Sequence, residues 1–218
     1  MTATGQKSGY HHGDLREALL AAAEELLAEE GMPGLTLRAC ARRAGVSHAA
    51  PKHHFADVSE LLSEVAARGF HQLTAALEAG RAEAADDPEA RIIAVFHAYV
   101  SFARRYPDHF RLMFRWDNMK SDNAVLLDAA ARTFAEMTSS VTAQRGDADV
   151  TAETLQQRIR DPDLNDDVVF AWSQIHGYVQ LLLEGQFDGF AESEGMDAFV
   201  RRTVEKSGRR LSLTLRDR

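Results

Sequence analysis

The sequence predicts an all-α protein built from a small N-terminal domain and a larger C-terminal one. Three observations carry this. Apolar residues recur at three- and four-residue spacing along most of the chain. The breaks between these stretches hold glycine and proline, as in Met32-Pro33-Gly34 and Asp86-Asp87-Pro88. The alternating stretch Leu211, Leu213, Leu215 is too short to make a sheet by itself and reads as a tail. With 218 residues, the chain can bury a core without disulfides or metals.

The elements follow in order. Asp14 can cap a first helix, with Glu17 completing a capping box and Leu15, Leu19, Ala22 and Leu26 on its apolar stripe. Thr36 can cap a short second helix, with Leu37, Cys40, Ala41 and Ala44 inward and Arg38, Arg42 and Arg43 outward. Gly45 stands where a left-handed residue closes that helix, and Ser47 can cap a third. A long helix starts at Asp57 or Ser59, with Leu61, Val65, Leu73 and Leu77 on its stripe. Next come Ile92, Phe96, Tyr99 and Ala103, ended before Pro107, and the short aromatic stretch PDHFRLMFRW. A helix over about 121–144 places Leu127, Ala131, Phe134 and Thr138 on one side. Residues 151–167 are polar and give no clear pattern. Val168, Trp172, Ile175, Val179 and Leu182 mark a strong helix ending near Gly185. Met196, Val200 and Val204 mark a last one, stopped by Gly208.

Composition bounds the class. Apolar residues are 45% and charged residues 27%, as in ordinary globular proteins. The N-terminus has no apolar signal-peptide core, and no stretch has the length and hydropathy of a membrane span. The single cysteine, Cys40, excludes an intrachain disulfide and lies on a core stripe. A cytoplasmic protein with no membrane partner and no cofactor is expected. The net charge of −8 is unevenly spread. In residues 1–55, Lys7, Arg16, Arg38, Arg42, Arg43 and Lys52 balance Asp14, Glu17, Glu24, Glu25, Glu29 and Glu30. Residues 31–55 contain no acid at all. Such a local basic patch attracts phosphate whatever the total charge, although a merely solvated face looks the same.

Two short helices joined by Ala44-Gly45-Val46-Ser47 form a helix-turn-helix outline. Pro51 falls at the fourth position of the second, the first whose N–H would bond back, to the Ser47 carbonyl. The loss of one bond there distorts the first turn and need not break the helix. Ala49 and Ala50 leave room for base edges.

The segments YHHGDLREALLAAAEELLAEEG and LTLRACARRAGVSHAAPKHHFADVSELL resemble the DNA-binding domain of TetR-type transcriptional repressors. AWSQIHGYVQLLLEG is similar to the Trp-x3-His-Gly segment in the C-terminal domain of one branch of that family. The resemblance implies a homodimer that binds double-stranded operator DNA through residues 12–72. Residues 73–210 would bind a small, largely apolar effector and dimerise. It places the start of the Thr36-capped helix against phosphate, with Arg38 on its outward face. It assigns Ser47, His48, Ala49, Ala50, Lys52 and His53 to the groove-facing surface, and His54 to a phosphate contact or a brace. Two positions depart from the family pattern. Lys52 stands where a backbone-contacting tyrosine is usual, and Val58 where a lysine is usual. The last two helices, around 168–183 and 196–204, would form the dimer bundle, with Leu182 and Val200 at the contact.

Phe96, Tyr99, Met113, Phe114, Phe134 and Met137 are the candidate ligand contacts, with Trp172 and His176 across the cavity. Each also fits a packed core. The histidines His11, His12, His48, His53 and His54 lack a Cys or acidic partner at ligand spacing, so no metal site is expected. No nucleophile and base pair has recognisable spacing, so no enzyme activity is expected. The alternatives are a helical protein-interaction adaptor or a metal-dependent enzyme without DNA binding.

Overall fold

The computed structural model describes residues 12–84, 86–147 and 149–216, and these are helical throughout apart from turns. The N-terminal head comprises α1 (His12–Glu30), α2 (Leu37–Arg43), the 3-10 helix Ala50–His53 and the start of α3 (Val58–Glu83). The body adds α4 (Pro88–Arg105), α5 (Pro107–Met113), α6 (Ala124–Gln144), α7 (Ala152–Arg158), α8 (Pro162–Leu183), α9 (Asp188–Ala191) and α10 (Met196–Arg216). Among the described residues no helix is long and apolar enough to cross a membrane.

Helix α3 organises both parts. At 26 residues it is about 39 Å long. Asp57 caps it by accepting the Glu60 N–H at 3.0 Å, so the helix starts from Asp57 and not Ser59. Its first turns bury Leu61, Leu62 and Val65 against Leu19, Leu26 and Phe55 of the head. Its later turns bury Leu73 and Leu77, and it packs mainly on α6 and α4. One main apolar core therefore runs from Leu19 to Leu215, with Ala135, Val150 and Leu155 in a small separate cluster.

Several expectations change. α1 already runs at His12, so Asp14 lies within the helix and not at its cap; His11 lies outside the described residues. α6 turns Leu126, Ala129 and Thr133 inward, while Leu127 is exposed. The polar 151–167 stretch forms α7, capped by Thr151, and the first turn of α8, capped by Asp161. Gly208 does not stop the last helix. A Cβ there would stand 2.6 Å from Ile93 Cγ1, so glycine is what lets α10 lie close to α4. The supposed tail is helical, with Leu211 and Leu215 buried one turn apart and Leu213 exposed. Leu182 and Val200 face this chain's own core. The outward face of α8 instead carries Val169, Phe170, Ser173, Gln174 and Leu181, with Phe190 of α9 exposed beyond it.

Candidate functional site

The head's surface is built from α2 outward. Thr36 Oγ1 accepts the Ala39 N–H at 3.0 Å, which fixes the start of α2 and leaves Arg38 exposed in its first turn. At the other end Gly45 adopts φ 69°, and the Val46 N–H reaches back to the Ala41 carbonyl at 2.9 Å. That pairing satisfies carbonyls the helix would leave open and turns the chain sharply.

The next segment differs from the expected α-helix. The Ala50 N–H bonds to the Ser47 carbonyl at 3.0 Å and the Lys52 N–H to the Ala49 carbonyl at 3.3 Å. Both are three-residue bonds, and Ala50–His53 is a 3-10 helix with Ala49 at its N-cap. The cause is Pro51. It has no N–H to reach Ser47 across four residues, and it disfavours the α conformation at Ala50. The tighter repeat puts Ala50 and His53 on one row. Pro51 is buried and anchors the turn, while Lys52 and His53 are exposed. Ser47, His48 and Ala49 are exposed in the turn before it, and Ala50 is half-buried. His54 is half-buried, with its N–H on the Pro51 carbonyl at 2.9 Å. Phe55 is core, under the Arg16 guanidinium 5.5 Å from its ring.

The basic surface is smaller than the sequence indicates. Arg43 turns back onto α1, bonding Glu25 at 3.2 Å and Glu29 at 2.6 Å, and so clamps α2 in place. Arg38, Arg42 and Lys52 remain exposed. Where a lysine is usual, Val58 is half-buried against the core. Lys120 reaches that helix start from the body, 2.6 Å from Asp57 Oδ2. Its ammonium and the Glu60 N–H hold the Asp57 carboxyl below its ordinary value. Sequence reasoning missed this pair, because the partners are 63 positions apart and nothing local marks Lys120.

In the body, the candidate ligand residues are brought together but packed shut. Phe114 and His176 have ring centres 4.4 Å apart, Trp172 and His176 5.7 Å, and Phe134 and Trp172 5.8 Å. Tyr99, Phe96 and Met113 are buried outright. The void bordered by Phe96, Met137 and Trp172 is about 10 Å³, the size of one water. These residues fill the core and do not line an open pocket. Inside the cluster a polar chain is satisfied. Gln180 Nε2 lies 3.1 Å from His176 Nε2, and His176 Nδ1 lies 2.9 Å from the Tyr99 hydroxyl. With the Gln180 amide donating to Nε2, Nδ1 carries the ring proton and donates to Tyr99. Burial lowers the His176 pKa and raises that of Tyr99. Open space lies elsewhere, in a groove of about 1260 Å³ between α3, α4 and α10 that none of the eight residues borders.

Among the described residues no three His, Cys, Asp or Glu side chains are grouped to hold a metal. The exposed basic groups, the small residues and the capped helix start form a surface suited to a phosphate backbone and its groove.

Comparison with known proteins agrees at both ends of the chain. Residues 19–65 match the family model described as "Bacterial regulatory proteins, tetR family". Residues 92–206 match "Tetracyclin repressor-like, C-terminal domain". A protein of unknown function from Rhodococcus sp. RHA1 is similar in structure, with TM-score 0.74 and 31% identity over 95% of this chain and 98% of its own. A TetR family transcription regulator from Marinobacter aquaeolei VT8 shares the fold, with TM-score 0.59 and 18% identity over 91% of this chain and 95% of its own. The HTH-type transcriptional regulator BetI of Burkholderia mallei is 37% identical over 83 residues, 38% of this chain. The match spans 43% of that relative's length.

Proposed function

This chain belongs to the TetR family of bacterial regulatory proteins, and we propose that it is a sequence-specific DNA-binding transcriptional regulator. It acts in the cytoplasm as a homodimeric repressor, without enzymatic activity. The observation that carries this reading is the acid-free segment 31–55, whose turn exposes Ser47, His48, Ala49, Lys52 and His53.

The physical roles follow from placement. Arg38 and Lys52 hold phosphates, which sets register and affinity. The start of α2 at Thr36 abuts the backbone. His48, His53, Ala49 and Ala50 meet base edges, the alanines leaving space for a thymine methyl. His54 braces the turn. Residues 12–72 form the DNA-binding domain, and residues 73–210 the effector and dimer domain. The partner copy packs against the outward face of α8, where the exposed Phe170 and Leu181 flank Ser173 and Gln174, with α10 completing the bundle. A small, largely apolar effector binds in the body and lowers DNA affinity. α3 carries the change, because it belongs to both parts.

The test is footprinting on a site selected from random duplex DNA. Two heads meet half-sites about one helical turn apart, roughly 34–36 Å or slightly more, so a protected pseudo-palindrome is expected. Protection of a single unpaired site, or no selection at all, contradicts the reading.

A further inference from the structure

Resting on the regulator reading above, we propose that the effector site is the open groove between α3, α4 and α10, and that it takes an elongated amphiphile, an alkyl chain ending in a hydroxyl. The groove, about 1260 Å³, runs along α3 from Gln72 to Glu83. Twelve helical residues span about 18 Å, so the site is long rather than round. Its floor is small and apolar, with Ala75 and Ala79 from α3 and Ala94 and Ala98 from α4. Such a floor fits a thin alkyl chain along its whole length, with Ile93 and Phe102 beside it.

Arg105 and Arg201 also border the groove but stand exposed, so the head group is set by the end that holds a buried polar atom without a partner. His109 is only 8% exposed, and its buried Nε2 makes no hydrogen bond. Glu24 Oε1 faces it from α1 at 3.9 Å, beyond hydrogen-bonding distance. The other Glu24 oxygen accepts from Arg68 at 3.3 Å. Burial pushes the Glu24 carboxyl up, but His109 and Arg68 outweigh it and hold it below its ordinary value. One hydroxyl placed off the line between the two groups accepts from His109 Nε2–H and donates to Glu24. With the His109 ring proton on Nε2, an ammonium head has no lone pair to accept it, and a carboxylate head has no proton for Glu24. A hydroxyl serves both.

This position also reaches the head directly. Glu24 belongs to α1, and its chain neighbour Glu25 accepts from Arg43 of α2 at 3.2 Å. A ligand hydroxyl bound to Glu24 therefore pulls on the helix that supports the DNA-binding turn. Coupling needs no passage through the closed aromatic cluster.

Calorimetry on the full chain with 1-decanol, decanoate and decylamine tests the site. The alcohol should bind about tenfold or more tightly than either charged analogue. Ala79→Trp and Ala75→Phe, both at exposed floor positions, should each weaken it by about tenfold or more. His109→Phe should remove the preference for the alcohol while leaving residual binding of the chain. No binding by any of the three probes overturns the proposal. So does alcohol binding that both floor variants leave unchanged, even if the alcohol still releases DNA; that outcome keeps the regulator reading. Alcohol binding blocked by the floor variants but without effect on operator affinity keeps the groove as a ligand site and removes its role in control.

Discussion

Lys52 and His176 show two ways of placing a basic side chain in one molecule. Lys52 stands exposed on a 3-10 helix whose geometry is dictated by the next residue back, Pro51. His176 is half-buried among aromatic rings, bonded through both nitrogens, with its pKa held down by burial. The first can be removed with little effect on folding, because almost nothing packs on it. The second holds four aromatic rings and Gln180 in register and is held by them. The head presents its chemistry; the body encloses its own. Mutations should therefore separate the two, with binding effects in the head and stability effects in the body.

The largest effect is expected at Phe110. Its ring is fully buried and lies 5.5 Å from Tyr99, 5.0 Å from Phe114 and 5.4 Å from His176, centre to centre. Phe110→Ala should cost about 3–5 kcal/mol in urea unfolding. A loss below about 1 kcal/mol would mean the cluster is looser than its packing indicates.

Next comes the apolar face of α8. Phe170 is 45% exposed and Leu182 is 8% exposed, although both are apolar residues of the same helix. Phe170→Glu should leave a folded monomer and weaken association by about 2 kcal/mol or more. Leu182→Glu should instead destabilise the fold by about 2–3 kcal/mol. Sedimentation equilibrium with circular dichroism distinguishes these outcomes. An intact Phe170→Glu dimer would move the interface elsewhere.

Gly208→Ala reverses a usual sign. An exposed helical glycine changed to alanine gains about 1 kcal/mol. Here the new methyl group meets Ile93, so a loss of about 1–3 kcal/mol is expected by thermal unfolding. A gain would show that α10 can move off α4 at little cost.

The smallest effect is pH-dependent. The folded pKa of His176 lies below its ordinary value near 6.5. As pH falls through that value the unfolded chain takes up a proton before the folded one does, so stability falls. Urea midpoints measured between about pH 8 and 5.5 should decline less steeply in His176→Gln than in the parent chain. An equal decline would assign the titration to other groups.

The difference between the regions also decided what could be read in advance. The head's features are contiguous. Thr36, Gly45 and Val46 act within ten residues of each other, and their roles follow from local rules of capping and turning. Three expectations there differ from the structure: the Asp14 cap, the outward Arg43 and the α-helix after Ser47. At Pro51 the missing N–H predicts a distorted α turn, and the structure has a 3-10 helix instead. The body's features depend on residues far apart in sequence. Tyr99 meets His176 across 77 positions, and Gly208 meets Ile93 across the α4–α10 contact. A glycine in a helical pattern reads as a stop unless the neighbour that needs the space is known. Aromatic residues likewise indicate a cluster, but whether it encloses a cavity depends on packing that no periodicity reveals. His109 and Glu24 gave no signal, because each lies within an ordinary helical stretch.

The most direct measurement is the salt dependence of DNA affinity for the parent chain and Lys52→Ala, each with its urea midpoint. Lys52→Ala should weaken binding to selected and unrelated duplexes by similar factors. It should also reduce the slope of log affinity against log salt by about one unit, with stability unchanged within about 0.5 kcal/mol. A parent chain whose DNA affinity does not depend on salt, or a variant with unchanged affinity and slope, would contradict the assignment of this surface to the phosphate backbone.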